Sequence, residues 1–271
     1  MIKTKFNTLA ARSIKAGFVV GALMAAQGAF ACTVDNWSAE SGNPLASGPD
    51  GPDGKSAIAR YSGLCAMQVA DGAVSFVEDL NPGGIDRIRA RFYVLADNTD
   101  TAVVYEGLNS TTPVFTIEVD GAGVFSVSGD GLSQQMSASG VAGNWNSVEL
   151  DWDAGAGQVS LWVNSDAGSE TADASESLSS GQVVTSVRLG NLNGAAGTMN
   201  FDAYESRRTT EIARLLRGDA NDDGAVNSGD FTAVVNDFLG VSLATGQPDC
   251  NEDGAVNSGD FTCVVNLFLG L

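Results

Sequence analysis

The last 54 residues of this 271-residue chain contain one 22-residue unit written twice, at 219–240 and 249–270, identical at 18 of the 22 positions. Each copy begins with twelve residues that place oxygen-bearing side chains at positions 1, 3, 5, 9 and 12. In the first copy these are Asp219, Asn221, Asp223, Asn227 and Asp230; in the second they are Asp249, Asn251, Asp253, Asn257 and Asp260. This is the ligand spacing of a calcium loop: a hard cation that takes six to eight oxygens needs a short, tightly curled donor segment. Gly224 and Gly254 stand at position 6, where the curl requires an unhindered backbone. Ala225 and Ala255 at position 7 would donate only a main-chain carbonyl, and Asn227 and Asn257 would act through a water. Two calcium ions are expected, one per copy.

After each loop, apolar residues recur at helical spacing: Phe231, Val234, Val235, Phe238 and Leu239, then Phe261, Val264, Val265, Phe268 and Leu269. No amphipathic helix precedes either loop, and the twelfth position is Asp rather than the longer Glu of EF-hand sensors, so each copy reads as a loop-helix half motif. A short helix has no stability of its own. The two are therefore expected to pack against each other about a pseudo-twofold axis.

This arrangement resembles the type I dockerin family over residues 218–271. The resemblance implies a small calcium-folded module that docks onto a cohesin-like domain in an assembly of polysaccharide-degrading proteins. Partner contacts would come from loop positions 10 and 11, here Ser228 and Gly229 and again Ser258 and Gly259, together with exposed helix residues. Family members commonly present basic residues on these helices; here the helices carry no Lys or Arg. The near-identity of the copies would permit two half-turn-related docking modes.

Two of the four differences between the copies are Ala220 against Cys250 and Ala233 against Cys263. Because the cysteines enter as a pair, one in the loop and one in the helix, a Cys250–Cys263 disulfide is expected. Cys32 and Cys65 would then pair in the N-terminal region. Disulfides require an oxidising compartment. The N-terminus reads as its address: Lys3, Lys5, Arg12 and Lys15 precede an apolar run over 16–28, and Ala29-Phe30-Ala31 has the form of a cleavage site. A signal peptide over 1–31 would leave Cys32 as the first mature residue, with lipid attachment there as the alternative to a disulfide. The 240 residues that follow hold 10 basic and 33 acidic side chains, a formal charge of −23 (10 minus 33), which disfavours nucleic acid as a partner. A secreted protein, released from the membrane, is expected.

Residues 32–206 read as β throughout, with short alternating runs broken by glycine and aspartate. Strands are expected over 88–94, 114–119, 124–127, 147–152, 159–163, 183–189 and 199–204, giving a mainly β fold of sandwich type. The phrases Trp145-Asn-Ser-Val-Glu-Leu-Asp-Trp152, Gln158-Val-Ser-Leu-Trp-Val-Asn164, Val187-Arg-Leu-Gly190 and Phe201-Asp-Ala-Tyr-Glu-Ser-Arg-Arg208 resemble the closing half of concanavalin-like, laminin-G-like jelly rolls. That group ranges over glycan binding, protein adhesion and glucan hydrolysis. A glycan-binding sandwich is the leading expectation, and a glycoside hydrolase or an adhesion domain the alternatives.

Three candidate features belong to this region. Glu149, Asp151 and Asp153 alternate on one strand and would share a face. Glucanases of this fold end such a row with Glu, whereas Asp153 enters a glycine-rich turn, so no catalytic residue is assigned. Arg87, Arg89 and Arg91 likewise alternate, either as an anionic-sugar surface or as cross-strand partners of the acidic row. Trp162 is placed outward, as a sugar platform or as cover for the sandwich. The chain has no histidine, which removes Ser-His-Asp and Cys-His chemistry. Residues 207–217, with four arginines, read as a solvated linker.

Overall fold

The computed structural model describes residues 32–47, 58–179 and 181–271, so the expected signal peptide lies outside the described residues. Two seven-stranded antiparallel sheets form a sandwich, as expected for the front of the chain. One sheet runs, in spatial order, Ala39–Ser41 (β1), Ser75–Asp79 (β4), Ser186–Asn191 (β13), Ala102–Asn109 (β6), Thr112–Val119 (β7), Val124–Gly129 (β8) and Met136–Ser139 (β9). The other runs Ala174–Ser177 (β12), Gln158–Val163 (β11), Trp145–Asp153 (β10), Arg87–Ala96 (β5), Met199–Arg207 (β14), Ala66–Val69 (β3) and Leu45–Ser47 (β2). The expected run over 183–189 is displaced: β13 begins at Ser186, and Val184 makes only an isolated bridge to Ile85.

Alternation sets the faces. Ile88, Ala90, Phe92 and Val94 of β5 and Val148, Leu150 and Trp152 of β10 point between the sheets and are buried. There Trp152 meets Phe115 from β7 at 5.0 Å, and Tyr105 of β6 lies 5.4 Å from Phe92. The glycines at the contact are small for a reason: a Cβ on Gly129 would lie 2.5 Å from the Trp152 ring. Burying a large aromatic contributes about 1.5–3 kcal/mol relative to leaving it in water, so this layer is the principal cohesive element.

Cys32 is bonded to Cys65, with Cα atoms 5.6 Å apart, which anchors the start of the described chain beside β3 and leaves no thiol there for a lipid. The C-terminal repeats form two helices, Ser228–Phe238 (α1) and Ser258–Leu269 (α2). They are the only helices among the described residues.

The acidic and basic rows turn out to be each other's partners. β5 and β10 pair with Arg91 opposite Glu149, Arg89 opposite Asp151 and Arg87 opposite Asp153. Arg87 reaches Asp151 at 2.8 Å and Asp153 at 3.1 Å, while Arg89 reaches Asp151 at 2.7 Å. Nor is this face solvated. Residues 211–217 cross it as a strap: the Ile212 and Ala213 N–H groups donate to the two oxygens of Glu149 at 3.0 and 2.9 Å, and Arg91 donates to the Ala213 carbonyl at 2.7 Å. Burial pushes the Glu149 carboxyl above its ordinary range, against the pull of those two N–H groups and of Arg89. The linker expected to be solvated is therefore packed over 212–215, where its main chain and Arg214 find fixed partners, while 208–211 and 216–217 stay exposed.

Candidate functional site

In each repeat the first Asp of the loop closes the curl. Asp219 accepts the N–H groups of Asp223 (3.0 Å) and Gly224 (2.8 Å); Asp249 accepts those of Asp253 (3.1 Å) and Gly254 (2.8 Å). Position 6 adopts the left-handed backbone that favours glycine, with φ of 86° at Gly224 and 89° at Gly254. The twelfth residue closes the other end: Asp230 accepts from Asn221 N and Asn227 N, as Asp260 does from Asn251 N and Asn257 N. Asn227 and Asn257 also cap the helices, each with its side chain on the N–H two residues on and with the Asp at N3 returning to the cap backbone. Loop and helix start are thus one hydrogen-bonded unit. Asp223 takes the Asn227 and Asn221 amides, which hold its carboxyl below the usual range, and Ala225 offers its carbonyl to Asn227 at 3.3 Å. The second loop repeats this with Asn251 on Asp253 at 2.8 Å and Asn257 on the Ala255 carbonyl at 3.3 Å.

The residues fit a calcium ion on electrostatic grounds. Asp219, Asp230, Asp249 and Asp260 are buried, and among the described residues no Lys or Arg is ion-paired with any of them. Burial, followed by the nearby Asp260 and Asp253 charges, pushes the Asp249 carboxyl up to about 8, and burial also raises Asp260. Like charges crowded out of water without a counter-charge are costly, and a divalent cation with oxygen preference is the natural remedy. Among the described residues no group of three or more His, Cys, Asp or Glu is gathered into a metal site by those types alone. A donor set drawn from these loops would therefore add asparagine and main-chain oxygens to the carboxylates.

Ser228, Gly229, Ser258 and Gly259 open the two helices and are not buried. A Cβ on Gly229 would lie 2.7 Å from the Asn221 amide nitrogen, the free end of a side chain of the same loop, and one on Gly259 would lie 3.0 Å from Asn257 Oδ1. Cys250 and Cys263 are bonded with Cα atoms 5.8 Å apart, as the comparison of copies indicated. Helix packing is less complete than the stripes suggest. Val234 and Val264 are fully buried around Ala220, Ala244 and Cys250, and Phe231 meets Phe261 and Phe268 edge-on at 6.0 and 5.5 Å. Leu239, Phe268 and Leu269 remain exposed, because two short helices have too little surface to enclose every apolar residue.

Trp162 is covered rather than displayed. Its Nε1 donates to the Glu170 carbonyl at 3.1 Å, and the Arg89 guanidinium sits 5.8 Å from its ring centre.

A search of curated proteins finds no match to the chain. Among solved structures, a sialidase shares 14% identity over 66% of this chain and 18% of its own, with a TM-score of 0.41, so this chain spans less than a fifth of that protein. An alginate lyase from Klebsiella pneumoniae shares 9% identity over 54% of this chain and 82% of its own, with a TM-score of 0.41. A SAP-like pentraxin from Limulus polyphemus shares 12% over 56% and 76%, with a TM-score of 0.39. Residues 217–269 match the family model of the dockerin type I domain, which identifies the C-terminal repeat module as dockerin-type.

Proposed function

We propose that this is a secreted protein whose C-terminal module, at 218–271, binds two calcium ions and docks the chain onto a cohesin-like partner. Type I dockerin domains bind calcium and cohesins, and the proteins that carry them are typically extracellular. The observation that carries the reading here is the pair of loops in which Asp219, Asp230, Asp249 and Asp260 are buried without a cationic partner. In this reading Asp219, Asn221, Asp223, Asp230, the Ala225 carbonyl and, through a water, Asn227 hold one ion. Asp249, Asn251, Asp253, Asp260, Ala255 and Asn257 hold the other. The ion supplies the positive charge that lets each set of carboxylates remain ionised while buried, and so fixes the helix starts at Ser228–Gly229 and Ser258–Gly259. The proposed boundaries are a signal peptide at 1–31, the sandwich at 32–206 and a connector at 207–217.

For the sandwich, glycan is the ligand class the jelly-roll resemblance implies. The surface for it lies away from the Glu149 row, whose carboxylates are paired with arginines or held by the strap and so offer no free proton donor. A pull-down with the full chain from secreted and surface fractions, with calcium and with chelator, tests the docking role. A calcium-dependent cohesin-like partner is expected. Recovery of no partner in either condition would recast the module as a stabilising tail.

A further inference from the structure

The two repeats differ at four positions, and the cysteine pair accounts for two of them. The other two are Asp237, where the second copy has Leu267, and Glu252, where the first has Asp222. Both Asp237 and Glu252 face the sandwich. Asp237 is ion-paired with Arg60 of the sandwich, both buried, and also accepts the Ala244 N–H at 2.7 Å. Arg60 further donates to the Gly63 carbonyl at 2.6 Å and the Ala244 carbonyl at 3.4 Å. Glu252 takes the Tyr61 hydroxyl at 2.8 Å and Arg214 of the strap at 2.6 Å, and its carbonyl accepts Trp145 N–H at 2.8 Å. Behind these contacts Tyr61 stacks on Tyr93 with ring centres 3.7 Å apart, Tyr93 accepts the Leu215 N–H at 2.9 Å, and Trp145 meets Tyr61 edge-on.

The counterparts behave differently. Asp222 is exposed and Leu267 is 39% exposed. The position-6 glycines diverge in the same sense: a Cβ on Gly254 would lie 2.7 Å from Leu95 of β5, whereas around Gly224 there is open space. We infer that Asp237 and Glu252 are an intramolecular latch. They break the symmetry of the repeats to seat one face of the module on the sandwich, and the half-turn-related face bearing Asp222 and Leu267 is the one presented outward. The consequence for partner choice, one docking orientation in place of two equivalent ones, rests on the docking role proposed above. The latch itself does not.

The test restores the symmetry in the full chain. Asp237→Leu with Glu252→Asp gives each copy the other's residue, and the reciprocal pair Asp222→Glu with Leu267→Asp is the control. Trypsin reads the connector at 207–217, which carries Arg207, Arg208, Arg214 and Arg217, and small-angle scattering reads compactness. Proteolysis of a native protein tracks the population of its opened form. Losing a buried charge pair is a large perturbation, so cleavage in 207–217 is expected to accelerate at least about tenfold, with a larger radius of gyration. The control should match the wild type. A sandwich-side pair, Arg60→Met with Tyr61→Phe, guards against misfolding of the module and should open the strap with the helical signal intact. Wild-type cleavage rates and an unchanged radius in both latch variants would overturn the inference.

Discussion

Replacing Cys250 and Cys263 together by alanine restores the residues that the first copy uses at the same places, and that copy supplies the internal reference. Ala220 is fully buried and Ala233 packs against the same small core, so alanine is sterically acceptable at both sites. The perturbation is then chiefly the loss of a cross-link between positions 13 residues apart. In the loop-entropy description, closing a loop of that size in the unfolded chain is worth about 3 kcal/mol. Because α1 and α2 are the only helices among the described residues, the far-ultraviolet signal at 222 nm follows the module and not the sandwich. Where folding of the module is coupled to binding of both ions, about 3 kcal/mol is a roughly hundredfold change in the overall constant and, shared between the two ions, a roughly tenfold higher calcium midpoint, since about 1.4 kcal/mol is a factor of ten. The assay is a calcium titration of helicity in wild type and variant. A midpoint within about twofold of the wild type would refute the claim that this cross-link acts by constraining the unfolded module.

Other parts of the structure give further outcomes. Asp202 is buried, accepts the Tyr61 and Ser62 N–H groups at 2.7 and 2.9 Å, and burial pushes its carboxyl up to about 6. A folded-state value raised from 3.8 to about 6 means its contribution is fully present below pH ~4 and lost as pH rises through ~6, about 3 kcal/mol in all; Asp202→Asn should flatten that slope in urea titrations. Gly129→Ala would drive a methyl to within 2.5 Å of the Trp152 ring and should cost about 1–3 kcal/mol, read as a lower melting temperature of the sandwich. Glu149→Ala orphans the Ile212 and Ala213 N–H groups and should hasten tryptic cleavage of the strap, whereas a catalytic Glu149 would lose sugar release with the strap unaffected.

The parts legible from sequence were those written by local pattern. The loop-helix form of the two repeats is specified residue by residue, and the alternating runs of β5, β7, β8, β10, β11 and β14 are found within a few residues of their expected limits. β6 is missed because Ala102–Asn109 is buried over most of its length and shows no period of two, with Glu106 and Gly107 interrupting its apolar run. β4 alternates well, but its inward positions include Ser75 and Asp79, which read as a turn. The connector at 207–217 reads as solvated because it carries four arginines; what holds 212–215 down is set by Glu149 on β10 and by Arg91 and Tyr93 on β5, distant in sequence. The latch left one signal: Asp237 and Glu252 stand among only four differences between otherwise matching copies. Repetition made those residues conspicuous, and only the fold shows what they touch.

Whether the two loops bind calcium is decided by calorimetric titration of the decalcified full chain with the ion. Two equivalents bound per chain are expected, falling to one in Asp219→Ala with Asp230→Ala, with a gain of helical signal on binding. Absence of saturable binding, or binding unchanged when both those aspartates are removed, would contradict that expectation.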